Sequence, residues 1–232
     1  MQVPAHLIQM ICPKYPRPAR LSDPMDDFSP DELEEIIRKK DSELTETDLI
    51  CIFQGSLPAG EYRESVYFLP LALKHIAEKE EEVTLCENLL RWTAGQRDAL
   101  SRDGLYDELL NFFESLFAEW TSQFVPDGDY PQNCSLAETI IATLNIPDFN
   151  GLGDRWLEKY TGNAETYEQA AWLVWFLYEH LWGIGGSSEF LKRVVSDRTL
   201  QQKVYDVILS RAVDDESLLS FWDKLFEKCG IG

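Results

Sequence analysis

Apolar residues recur along most of this chain at helical spacing. The clearest case is 105–124, where Tyr106, Leu109, Leu110, Phe113, Leu116, Phe117, Trp120 and Phe124 follow steps of three and four. Asp107, Glu108, Glu114 and Glu119 fall off that stripe, which predicts an amphipathic helix with an acidic outer face. Residues 166–182 behave differently. The run AAWLVWFLY at 170–178 has no polar break and is too short to cross a bilayer. It predicts a central helix buried on all sides. Neither a long alternating strand pattern nor a repeat of fixed period occurs.

Start and stop signals divide the rest. Ser29-Pro30-Asp31-Glu32 reads as a capping box with proline at the first helical position. Leu33, Ile36 and Ile37 follow as a narrow apolar stripe, and Arg38, Lys39 and Lys40 close the helix at its negative end. A second helix is predicted over about 46–54, and a run over 60–79 is interrupted by Pro70, which predicts a short helix before it and a longer one from there, or one kinked helix. Thr84 and Glu87 predict a capping box opening a helix that ends near Gly104. Ser135 and Glu138 predict another, opening a helix to about 145, and a weaker helix follows over 151–160. The loop Gly183–Ser188 precedes helices near 187–195, 198–211 and 215–229.

Residues 1–29 hold five of the eleven prolines, which predicts an extended strap with at most a short helix near 5–11. The expectation is an all-α fold: an irregular multi-helix bundle or a short, degenerate α-solenoid of about ten helices. The N-terminal strap would precede one all-α domain over 30–232, with a subdivision point near 125–134.

Composition narrows the partners. The chain has 41 acidic and 21 basic residues among 232, a formal net charge of −20. Residues 1–20 contain Lys14, Arg17 and Arg20 and no acid, whereas 21–60 and 105–165 hold 22 acids and five bases. Such a chain repels phosphate backbones and anionic membranes unless it segregates a basic patch. Cys12, Cys51, Cys86, Cys134 and Cys229 are widely spaced without a CxxC motif, the pattern of reduced cytoplasmic thiols. The N-terminus has no basic lead before its short apolar run, unlike a signal peptide.

Candidate chemistry is sparse. Asp127, Asp129, Ser135 and Glu138 occupy positions 1, 3, 9 and 12 of a calcium-loop spacing. However, Pro131 stands where an oxygen ligand is needed, and Gln132 where the loop turns on glycine. The plainer reading is a turn followed by a helix cap. Gly183–Ser188 lacks the GK[ST] ending of a phosphate loop and follows a helix. Glu179 and His180, beside Trp175, Tyr178 and Trp182, suggest a carboxylate raised in pKa within an aromatic pocket. A single carboxylate without a placed partner is more simply structural. The three histidines fit no HExxH or ExxH pattern, and no GxSxG occurs.

The sequence therefore leads to the expectation of a non-catalytic cytoplasmic binding protein. Its acidic surfaces, with Asp107, Glu108, Glu114, Glu119, Asp127 and Asp129, would dock a basic protein. An inhibitor or immunity-type protein against a cationic toxin or nuclease is one version. Charge that serves only solubility explains the same composition. One alternative is an enzyme or small-molecule binder with an inter-helix pocket at Trp175, Tyr178, Glu179, His180 and Trp182. Another is an assembly or maturation factor with an exposed apolar groove. No catalytic residue or cofactor is assigned, nucleic acid and membrane are not expected partners, and the sequence does not set the oligomeric state.

Overall fold

The computed structural model describes residues 2–23, 26–54, 58–78, 83–122, 134–147, 149–161, 166–167 and 189–209, with positions 170, 173, 176, 220 and 223. Within these, the side chains of 83, 118–122, 134–138, 141, 150, 159–161, 191, 194, 195 and 208 lie outside the description. The chain is all-α, as the apolar spacing predicts. Among the described residues every regular element is helical. Contacts group the chain into two compact units, Met1–Ser122 and Gln123–Gly232.

The first unit opens with α1 (Ala5–Ile11), which buries Leu7 and Ile11. The extended strap follows and buries Tyr15 and Leu21. α2 (Pro30–Arg38) begins at the predicted capping box: Ser29 Oγ accepts from Glu32 N–H at 3.3 Å, and Ser29 N–H donates to Glu32 Oε2 at 2.8 Å. Leu33 and Ile36 point inward, while Ile37 is half-buried. α3 (Glu46–Phe53) carries a second capping box, Thr45 with Asp48. Lys39, just beyond α2, donates to Asp48 at 2.8 Å, which ties the end of α2 to the start of α3. Burial opposes the Asp48 charge, but Lys39 and Thr45 outweigh it and lower its pKa.

A short helix precedes Pro70 and a longer one starts there, the first of the two expected arrangements. α4 (Tyr62–Ser65) runs through a 3-10 turn, Val66–Phe68, into α5 (Leu69–Glu78). Pro70 sits in the first turn of α5, where its missing N–H costs no helical bond.

The helix expected from Thr84 to Gly104 is two helices, α6 (Val83–Gly95) and α7 (Arg97–Asp103). The break falls at Gly95-Gln96, where glycine weakens the helix and Gln96 turns to φ −102°, ψ 16°. Thr84 lies inside α6, so it does not cap it. α8 (Tyr106–Ser122) buries Tyr106, Leu109, Phe112, Phe113, Leu116 and Phe117. Its apolar stripe is wider than the spacing suggested on one side: Phe112 is 2% exposed, while Leu110 is half-buried.

In the second unit, α9 (Cys134–Asn145) packs on α10 (Asn150–Thr161). A Cβ on Gly153 would stand 3.0 Å from the Leu144 side chain and 3.1 Å from its backbone nitrogen. That closeness is what a glycine on α10 permits. Ser135 is the second residue of α9, so it lies within the helix rather than capping it. The described positions 167, 170, 173 and 176 are helical, and Ala170, Leu173 and Phe176 are buried. α11 (Glu189–Ser196) and α12 (Arg198–Leu209) follow, with Phe190, Gln201 and Val204 buried. α10 holds α11 through Asp154, which accepts Glu189 N–H at 2.9 Å, and through Glu158, 2.5 Å from Arg193.

Candidate functional site

Among the described residues, charged and hydroxyl groups converge where the strap crosses the first unit. Asp103 is the last residue of α7, at the negative end of the helix dipole. A carboxylate there needs compensation, and three donors supply it. Lys14 Nζ bonds Oδ1 and Tyr15 OH bonds Oδ2, both from the strap. Tyr62 OH of α4 also donates to Oδ2, at 2.6 Å.

Aromatic packing holds these donors in place. The Tyr62 ring stacks on Trp92 at 6.1 Å and 12°, and Tyr15 meets Tyr62 edge-on at 6.0 Å. Trp92, 1% exposed, meets Phe53 edge-on at 5.1 Å.

The electrostatics follow from this packing. Burial works against the Asp103 charge, but the bonds from Lys14, Tyr15 and Tyr62 outweigh it and hold its carboxyl down at about 2. Burial, and then the bond to Asp103, pushes the Tyr62 and Tyr15 hydroxyls upward. Near neutral pH the cluster is one fixed carboxylate among groups that keep their protons. These bonds fasten the strap to α4 and α7.

Two further fastenings follow along the strap. Arg17 bonds the Asp41 carboxylate and donates to the carbonyls of Ile37 at 3.2 Å and Lys39 at 2.5 Å. Arg17 thereby caps the open carbonyl end of α2. Its guanidinium lies 5.8 Å from the Tyr67 ring centroid and 5.6 Å from that of Phe68. Ser22 then meets the start of α4: its N–H and hydroxyl both donate to Glu64 Oε2, at 2.9 and 2.5 Å. Its carbonyl accepts Gly60 N–H at 2.7 Å. Gly60 has φ +102°, and a Cβ there would stand 3.0 Å from Leu21. Only glycine takes that turn without strain and leaves room for the strap.

The docking residues expected from the sequence have different surroundings. On α8, Asp107 and Glu114 are exposed, with Asn111 and Ser115 beside them on the same side of the helix. Glu108 is instead engaged: its Oε2 lies 2.7 Å from His6 Nε2 of α1. Glu119 falls within α8, but its side chain lies outside the described residues. Asp127 and Asp129 also lie outside them, as do the side chains of Ser135 and Glu138. The expected pocket residues Trp175, Tyr178, Glu179, His180 and Trp182 lie outside them as well.

Among the described residues no group of three metal-ligating side chains converges, and no helix is long and apolar enough to cross a membrane. Cys12, Cys51 and Cys86 are free thiols, and burial pushes Cys86 up to about 12. At that value it is protonated and unreactive.

Sequence reasoning missed Asp103. One signal was available: an acid at the last position of a helix, against the dipole, requires a cation from elsewhere. The nearest stretch of unopposed cations was the strap. No protein-family model, curated protein or solved structure matches the chain.

Proposed function

We propose that the protein is a non-catalytic interaction protein that docks a basic protein partner on the outer face of α8. The observation that supports this reading is the two-sidedness of that helix. Its inner face is fully committed to the core through Leu109, Phe112, Phe113, Leu116 and Phe117. Its outer face presents Asp107, Asn111, Glu114 and Ser115 to water. No lysine or arginine occurs between 105 and 122 of the helix itself. An exposed acidic face raises the encounter rate with a cationic partner, and salt screens it within about 10 Å at 0.1 M. The strap offers an internal precedent. Its cations settle on carboxylates of the same unit, Lys14 on Asp103 and Arg17 on Asp41.

The test is titration of the full chain with a decalysine peptide at rising salt. Affinity should fall steeply with ionic strength, and the double reversal Asp107→Lys with Glu114→Lys should weaken it at least tenfold. Binding indifferent to salt, or unaltered by the reversal, would reject the reading.

A further inference from the structure

The first 20 residues carry cations and no acid, and the structure shows where those cations face. Lys14, Tyr15, Pro16, Arg17, Pro18, Ala19 and Arg20 of the strap form one wall of a groove of ≈ 560 Å³. Arg63 and Glu64 of α4 form the other wall. In a chain of net charge −20, this groove is lined by four cations and one carboxylate.

The four cations divide into two kinds. Lys14 and Arg17 are spent on Asp103 and Asp41 and fix the strap in place. Arg20 and Arg63 are exposed and form no ion pair or hydrogen bond among the described residues. Glu64 adds its charge to the groove, yet its Oε2 is locked by Ser22 and by Glu61 N–H at 3.0 Å. It offsets one guanidinium in charge and leaves the N–H donors of both arginines open.

We propose that this groove binds the phosphate monoester group of a small molecule, with Arg20 and Arg63 as its two recognition residues. Three features of the site select that chemistry. A carboxylate has two oxygens, which a single guanidinium fork saturates, whereas a phosphate monoester has three terminal oxygens and can take two forks. The groove falls within the usual size range of small-molecule sites, and an inorganic ion would leave most of it empty. The remaining wall, Pro16, Pro18 and Ala19, offers apolar surface to an organic portion.

Preorganisation strengthens the case. Pro16 and Pro18 fix φ on either side of Arg17, and the strap is fastened at Lys14, Arg17 and Ser22, so the wall needs little ordering when a ligand arrives. With Lys14 and Arg17 paired and Glu64 offsetting one guanidinium, the groove keeps one net positive charge toward an approaching anion.

The experiment is calorimetric titration of the full chain with phenyl phosphate, with inorganic phosphate, and with phosphatidylcholine vesicles doped with phosphatidic acid. Phenyl phosphate should bind more tightly than inorganic phosphate. The exposed double variant Arg20→Gln with Arg63→Gln should weaken it at least tenfold and leave the urea unfolding midpoint unchanged. Three results would overturn the proposal: no heat with phenyl phosphate at about 10 mM, equal binding to wild type and double variant, or binding to the vesicles alone. Inorganic phosphate binding as tightly as the ester would remove the organic portion and with it the small-molecule assignment.

Discussion

Two acidic regions of the first unit have opposite fates. Around Asp103 and Asp41, carboxylates meet lysine, arginine and tyrosine donors and hold the strap against α4, α7 and the end of α2. On the outer face of α8, Asp107 and Glu114 meet water. The two regions contribute alike to the net charge and differ in what they do. A carboxylate surrounded by donors is part of the fold, and its removal leaves those donors without an acceptor. A carboxylate exposed on a helix surface contributes little to the fold. Acid count alone does not separate the two; the local donor set does.

The strongest way to break this contrast is Asp103→Ala. Tyr15 and Tyr62 would keep their packed rings and lose their acceptor, and Lys14 would lose its ion pair. The expected loss is about 2–3 kcal/mol, the cost of part-buried polar groups left unsatisfied. Urea unfolding measures it, and faster amide exchange across residues 12–23 would show that the strap is what loosens. A loss below about 0.5 kcal/mol, the size of an ordinary surface change, would place Asp103 in the same class as Asp107.

The same latch gives a pH dependence of known sign. The folded Asp103 carboxyl is lowered from 3.8 to about 2, so the unfolded chain binds its proton first as pH falls. The stabilisation is fully present above the ordinary carboxylate range and is lost as pH falls from about 4 through about 2. Asp48 and Glu64 are also lowered and add to the loss in the same direction. Asp103→Asn should remove its share of this acid-side slope and leave the slope due to Asp48 and Glu64. An unchanged slope in that variant would count against the latch.

Gly60→Ala tests the strap from its backbone side. Alanine at φ +102° is strained, and its Cβ would press Leu21 from 3.0 Å. The expected loss is about 1–2 kcal/mol. Cleavage by protease should rise within 12–23 and stay unchanged across α6 and α8. Rising cleavage in those helices instead would mean that the strap and the helical core open as one unit.

How much of this was legible in the sequence depends on the range of the interaction. Local signals were enough for α2, because Ser29, Pro30 and Glu32 sit within four residues and their capping box forms as read. Periodicity was enough for the inner face of α8, where Leu109, Phe113, Leu116 and Phe117 are buried as spaced. It misjudged Phe112 and Leu110, whose burial depends on which neighbours lie to either side of the stripe. The split between α6 and α7 was invisible to an apolar pattern that continues across Gly95. The latch was the least legible part: Tyr15 and Asp103 are 88 positions apart, and no local pattern joins them. Prolines and unopposed cations marked the strap as unusual but did not say that its charges turn inward.

The smallest expected effect is the one that sharpens the comparison most. Asp107→Ala combined with Glu114→Ala removes two carboxylates from the exposed face of α8 and leaves its buried aromatics in place. Alanine is the best helix former, which offsets the loss of a favourable Asp107 charge in the first turn. Stability should therefore stay within about 0.5 kcal/mol of wild type. Binding of a decalysine peptide should weaken severalfold at low salt, and the difference should shrink as salt rises. The pairing of these outcomes carries the argument. Lost stability would mean that the α8 carboxylates are structural, like Asp103. Unchanged stability together with unchanged binding would mean that they serve solubility alone. Only unchanged stability with weakened, salt-sensitive binding separates a docking face from a latch built of the same side chains.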